Sequence, residues 1–206
     1  MDLSPDLELP LDRGAPWWYW LGGRPALDFV NTRRERWCRD VETLVRPDDL
    51  AEWLARAGLV AGAPLAPKTL LEAARGLREA IDSAVVAVTE GRPPPAEGLA
   101  VIDRWLPAAL VPDRLTAEPD GPAILAPGAP ADAVRHALGV LAHDAAEMLG
   151  TEQRERVRIC ASETCSARFY DRSRAGRRRW CSMTKCGNAA KARRHRARRA
   201  DVAAEG

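Results

Sequence analysis

Four cysteines in the last quarter of the chain restrict its fold more than any other feature: Cys160-x4-Cys165-x15-Cys181-x4-Cys186. Each close pair can curl around one cation, and the stretch between the pairs is long enough for a hairpin. A tetrahedral, thiolate-rich set of this kind suits zinc. With all four positions filled by protein there is no open place for water, so one structural ion is expected rather than a catalytic one. The competing reading is four thiols that are merely buried. Clustering in a reducing compartment favours metal over disulfides. A module of roughly 40 residues buries little core, and zinc binding, on the order of 10 kcal/mol or more in small modules, supplies what packing lacks. The fifth cysteine, Cys38, stands far upstream and reads as an ordinary thiol.

Between the pairs, Ala167-Arg168-Phe169-Tyr170 leads into Asp171-Arg172-Ser173-Arg174-Ala175-Gly176, and Arg177-Arg178-Arg179-Trp180 returns to Cys181. This predicts a hairpin with Phe169, Tyr170 and Trp180 as its small apolar floor. After Cys186, Gly187 permits a tight turn and Asn188 can cap a helix running from Ala189 to Arg199. Knuckle, hairpin and helix in that order describe a treble-clef-like zinc finger. His195 is expected at the surface or facing phosphate, because four thiolates already satisfy the metal.

The formal net charge of +2 conceals an asymmetry. Between Arg154 and Arg199 there are 16 Lys and Arg against Glu155, Glu163 and Asp171, an excess of 13. The remainder holds 15 basic and 26 acidic residues. Four thiolates around a divalent ion leave a local charge of about −2, which accounts for little of that excess. The candidate phosphate-binding residues are Arg172, Arg174, Arg177, Arg178 and Arg179 on the hairpin, with Lys191, Arg193, Arg194, Arg196, Arg198 and Arg199 on the helix. Arginine suits bidentate contacts to phosphate or guanine. The plainer alternative is a solvated tail, or one docked on the acidic body.

Upstream, the first 16 residues lack apolar periodicity and read as a flexible arm. A short helix, with a strand as the close alternative, is expected at Pro25–Thr32. A helix capped by Asp48 and Asp49 carries Leu50, Trp53 and Leu54 and stops at Gly58. A long amphipathic helix covers Lys68–Thr89, another Ala96–Ala109, and a last one starts near Asp132 and ends at Gly150. A hairpin around Leu115 and Ile124 is the one strand pair expected before the finger. The fold class is therefore mainly α with a small β-hairpin: a helical N-terminal domain over 17–150, then the finger over 151–206.

The body offers fewer chemical signals. Three tryptophans lie within Trp17–Trp20, suited to a ligand pocket or, more simply, to anchoring the segment in the core. Asp28 and Asn31 share one helical face, as a ligand-binding pair or as structural hydrogen-bonders. His143 and Glu147 lie one helical turn apart, and surface pairing is favoured over metal binding because no third ligand is evident. No nucleophile with a base, phosphate loop or open metal site appears, so no enzyme is expected. No apolar run approaches a membrane span, and the acidic N-terminus has no signal-peptide core, so a cytoplasmic protein is expected.

Several stretches together resemble a known finger. These are Arg158-Ile159-Cys160-Ala161, Phe169 to Arg174, Arg179-Trp180-Cys181-Ser182-Met183, and Cys186-Gly187-Asn188 followed by Lys191 to Arg196; they resemble the CGNR-type zinc finger. Upstream, Gly22-Gly23-Arg24-Pro25-Ala26-Leu27-Asp28-Phe29-Val30-Asn31-Thr32 is similar to the opening of the ABATE domain, which precedes that finger in bacterial proteins. The resemblance implies a stress-response transcriptional regulator that binds nucleic acid, most naturally double-stranded DNA. An RNA-binding or ribosome-associated zinc protein is the alternative. The body then has the task of sensing a small-molecule effector or forming a homodimer. One position departs from the pattern: Ala189 stands where the motif name calls for arginine.

Overall fold

A computed structural model of the chain describes residues 18–62, 64–117, 121–193 and 195–196. The arm expected over 1–16 lies outside these residues, as does Trp17. The first element, α1, spans Pro25–Val30, with Pro25 supplying the preset φ that a helix start favours. It ends two residues before the expected Thr32, because Asn31 forms its C-terminal cap.

A pair of two-residue strands follows, β1 (Arg33–Arg34) and β2 (Val41–Glu42), joined antiparallel. This corrects the expectation of a single strand pair before the finger. Strands this short and this charged carry no period-two pattern. Their turn is marked only by Glu35 and Asp40, which adopt the left-handed region at φ 51° and 52°. Helix α2 covers Pro47–Arg56. Its cap is Arg46 rather than an aspartate. Asp49 acts from inside the first turn, where its carboxylate accepts from the backbone N–H of Arg46 at 2.6 Å and of Val45 at 2.9 Å.

The apolar periodicities place the remaining helices well. α3 runs Lys68–Thr89 and α4 Ala96–Trp105, continued by a 3-10 turn over Leu106–Ala109. The hairpin β3 (Arg114–Ala117) and β4 (Ala123–Ala126) pairs Leu115 with Leu125 and Thr116 with Ile124. α5 spans Ala133–Gly150, started by the Asp132 carboxylate accepting from Arg135 N–H at 2.9 Å. Leu77, Ile81 and Val85 of α3 meet Leu138, Leu141 and Met148 of α5 in one buried core with Phe29, Leu50 and Trp53. Gly139 lets α5 pass close to the 3-10 turn, for a Cβ there would lie 2.4 Å from Ala109 N. No described helix is long and apolar enough to cross a membrane.

The finger begins with β5 (Val157–Ile159), which pairs antiparallel with β6 (Arg168–Tyr170). The expected return of the hairpin along 177–180 is a correction: those residues form no strand. They are held instead by Ala161 N–H donating to the Arg179 carbonyl at 2.8 Å and Arg178 N–H donating to the Asp171 carboxylate at 2.8 Å. The competing strand wins because it is already fixed from below, with Val157 buried in the core of the body. Residues 188–193 and 195–196, termed α6, are helical.

Body and finger are joined by polar contacts over a buried seam. The Asn31 side chain donates from Nδ2 to the Arg168 carbonyl at 2.9 Å and accepts from Arg168 N–H at 2.8 Å, completing the free edge of β6 as a strand residue would. Tyr170 N–H donates to the Gly22 carbonyl at 2.7 Å. The buried Arg168 guanidinium meets Asp82 of α3 at 2.6 Å, while Arg36 meets the same carboxylate at 3.2 Å and Glu79 at 2.6 Å.

Candidate zinc centre and basic surface

Two short turns present the four thiols. In the first, Cys160 N–H donates to the Ala167 carbonyl at 2.9 Å and Cys165 N–H to the Ser162 carbonyl at 3.1 Å, which curls the chain between them. In the second, a wide turn over Met183–Gly187 begins with the Ser182 hydroxyl accepting from Lys185 N–H at 3.3 Å and closes with Gly187 N–H bonded to the Ser182 carbonyl at 3.0 Å. Phe169, fully buried, packs with Cys160, Ala167 and Cys181 beneath the site.

All four sulfurs lie within 4.8 Å of one another. Cys165 and Cys181 are 3.8 Å apart, and Cys181 and Cys186 are 3.7 Å apart. A tetrahedron with zinc–sulfur bonds of about 2.3 Å has edges of about 3.8 Å. The residues therefore fit one tetrahedrally bound zinc ion, and the ion's chemistry there is structural, since four protein thiolates fill its coordination.

The four thiols are linked to one another through shared protons. Among the thiols alone, hydrogen bonds from Cys165 and Cys181, opposed by burial, hold Cys160 down to about 2 as the thiolate. Cys165 is pushed up to about 12, first because its proton is shared with Cys160. Cys181 is raised for the same reason, and Cys186 is raised chiefly by burial. A divalent ion favours the ionised form of all four thiols, so its binding releases their protons.

The structure sorts the candidate basic residues into different surroundings. Arg174, Arg177, Arg179, Lys191 and Arg196 are exposed, and no described carboxylate pairs with any of them. Arg193 is half-buried and 3.9 Å from Glu163. Arg172 is exposed but donates to the Gly23 carbonyl, bracing the seam. Arg178 turns inward, donating to the Cys181 carbonyl at 2.7 Å and the Trp180 carbonyl at 3.3 Å, with its guanidinium 5.1 Å from the Phe169 ring centre. Arg194, Arg198 and Arg199 lie outside the described residues. His195 is exposed. Phe169 is unavailable for stacking, whereas Trp180 is half-buried under Arg179.

In the body, Asn31 and Asp28 both make structural hydrogen bonds. The Asp28 carboxylate accepts from Gly22 N–H at 2.7 Å, and burial, with Asp144 nearby, pushes its pKa from 3.8 up to about 6 against the pull of that bond and of Arg172. Trp18 is buried and donates to the Thr43 hydroxyl at 3.0 Å, and Trp20 stacks on Trp53 at 5.6 Å, so this aromatic run anchors the segment. Glu147 pairs with Arg24 at 2.9 Å, not with His143. Cys38 is exposed, with its sulfur 4.0 Å from the Thr164 carbonyl of the first zinc turn. Sequence reasoning missed Arg36, Asp82 and Arg168 as the residues that position the finger. Charged side chains at the flanks of apolar periodicity are the only signal they leave.

Two family models match the chain. That of the ABATE domain, described as a putative stress-induced transcription regulator, matches residues 23–152. That of the CGNR zinc finger matches residues 156–199. No curated protein matches.

Proposed function

The chain belongs to the ABATE family and ends in a CGNR zinc finger, and from that premise we propose that it is a transcriptional regulator that binds double-stranded DNA through the finger. One observation carries this reading: Arg174, Arg177, Arg179, Lys191 and Arg196 stand exposed on a small zinc-organised unit with no described acidic partner. Such charges repel one another and gain from neutralisation by phosphate. The zinc ion fixes the two turns and the start of α6, and so holds the cationic side chains in a defined arrangement before contact. The seam through Asn31 and Arg168 passes that arrangement to the helical body, where a second copy of the chain or an effector would act. No catalytic role belongs to this reading.

Selection from random DNA and RNA pools at two salt concentrations tests it. The expected result is enrichment of a duplex DNA motif. With about six phosphates contacted, log affinity falls against log salt with a slope near −5. Enrichment from the RNA pool alone would transfer the finger to the RNA-binding reading, and affinity that ignores salt would refute both. A palindromic motif would add a homodimer to the proposal.

A further inference from the structure

A cavity of about 360 Å³ lies where the N-terminal segment of the body meets the zinc unit. This is within the size range of pockets that take small organic ligands. Tyr19, Leu21 and the β1–β2 turn form one side of it, and the two zinc turns with Ala189 form the other. Ala189 occupies the fourth position of the Cys-Gly-Asn-Arg motif for which the finger is named. An arginine there would extend a long side chain from the first turn of α6; alanine leaves the space open.

The charged groups of the lining are mostly answered by one another or by neighbours. Arg33, Arg34, Arg39 and Lys185 face a single described carboxylate, Glu35, an excess of three positive charges. A tetrathiolate zinc centre at the floor contributes about −2, and Asp40 and Glu79 answer Arg33 from outside the lining, so the pocket as a whole is close to neutral. Glu35 is gripped by Arg39 through two bonds of 2.5 and 2.6 Å, so its charge is already answered. Arg33 is likewise engaged, with Asp40 at 2.7 Å. Lys185 differs: its ammonium lies 4.7 Å from the centre of the Tyr19 ring, and no described carboxylate pairs with it. The Arg34 guanidinium also lies over that ring, at 4.1 Å, so an apolar body would meet the part of the ring the two cations leave uncovered, with its anionic end at the ammonium.

We propose that this cavity binds a small organic anion, its apolar body lying against Tyr19, Leu21 and Ala189 and its acidic group meeting Lys185. The site draws walls from both the body and the finger, and it exists because residue 189 is small. The inference goes beyond the nucleic-acid reading and does not depend on it, so its experiment contains no nucleic acid.

The probe is 4-(trifluoromethyl)benzoate, followed by fluorine NMR as it is titrated into the zinc-loaded full chain, with 4-(trifluoromethyl)benzamide as its neutral twin. The carboxylate is expected to bind saturably, and the amide about tenfold more weakly, as the loss of one charged hydrogen bond implies. Ala189→Met fills the space at a solvent-facing helical position without changing charge, and Lys185→Gln removes the ammonium. Each is expected to weaken the carboxylate about tenfold while zinc content and thermal midpoint stay at wild-type values. The proposal is overturned if the carboxylate shows no saturable binding, if the amide binds equally, or if the two variants, with zinc retained, bind as the wild type does.

Discussion

Replacing Asn31 with alanine tests the seam on which the orientation of the finger depends. The side chain is buried and makes two hydrogen bonds, at 2.8 and 2.9 Å, to the N–H and carbonyl of Arg168. These are the outward-facing groups of β6, since the neighbouring ladder bonds to β5 use Ala167 and Phe169. Each bond is worth about 1 kcal/mol net, and each stranded buried backbone group costs about 1–3 kcal/mol unless water enters. With partial hydration, Asn31→Ala should lose about 2–4 kcal/mol. For a chain of this size that lowers the melting midpoint by roughly 4–15 °C. The assay is urea unfolding of the zinc-bound protein with two probes: tryptophan fluorescence, to which six tryptophans upstream of the finger contribute against Trp180 within it, and zinc release to a colorimetric chelator. In the wild type the two transitions should coincide. In the variant zinc should leave first, because the finger has lost its hold on the body. A loss under about 1 kcal/mol, or two probes that stay superimposed in a destabilised variant, would refute the reasoning.

Cys181→Ser should abolish stoichiometric zinc, measured by elemental analysis of the purified protein, because Cys181 is the sulfur within 3.8 Å of both Cys165 and Cys186. Retention of a full equivalent would disprove the four-thiolate centre. Gly139→Ala should cost about 1–3 kcal/mol by overpacking, as its Cβ would fall 2.4 Å from backbone at Ala109; an unchanged melting midpoint counts against that packing. The Asp28 carboxyl, pushed from 3.8 to about 6 in the fold, binds its proton more tightly folded than unfolded. Its contribution is therefore full below about pH 4 and is lost as pH rises to about 6. Asp28→Asn, which keeps an acceptor for Gly22, should flatten that limb and gain about 1–3 kcal/mol at neutral pH, discounted for its partial exposure. Parallel wild-type and variant stability curves between pH 4 and 7 would exclude the effect.

The zinc centre was legible because cysteine spacing states a coordination number directly, and α3, α4 and α5 because long apolar periods outweigh local noise. The failures share a cause: they depend on what a segment meets elsewhere. Nothing in Arg177-Arg178-Arg179 distinguishes the middle residue, yet Arg178 folds onto two carbonyls beside Cys181 while its neighbours stay in solvent. Val157–Ile159 took the place of 177–180 beside β6 because Val157 is anchored in the body, a contact no pattern inside the finger records. Asp28 and Asn31 were visible as polar residues in an apolar run, but their partners Gly22 and Arg168 lie six and 137 positions away.

The buried charges of the seam suggest why body and finger have so defined a relation. Arg168 and Arg36 converge on Asp82, with Glu79 shared among Arg33, Arg36 and Arg78. Burial lowers the Arg168 pKa more than Asp82 raises it, so part of the gain from pairing is consumed by desolvation. Such a cluster adds little net stability compared with apolar packing, but leaving any one member unpaired is expensive, by about 3–5 kcal/mol. Its effect is therefore on geometry: few arrangements of the finger satisfy every charge at once. Arg168 also belongs to β6, three residues beyond the ligand Cys165, so the same short segment answers to the metal at one end and to the body at the other. Arg168 is thus one of several links between the two, beside Tyr170 to Gly22 and Arg172 to Gly23, and the cavity bounded by Ala189 and Tyr19 opens beside that segment, lined by Ser166 and Ala167.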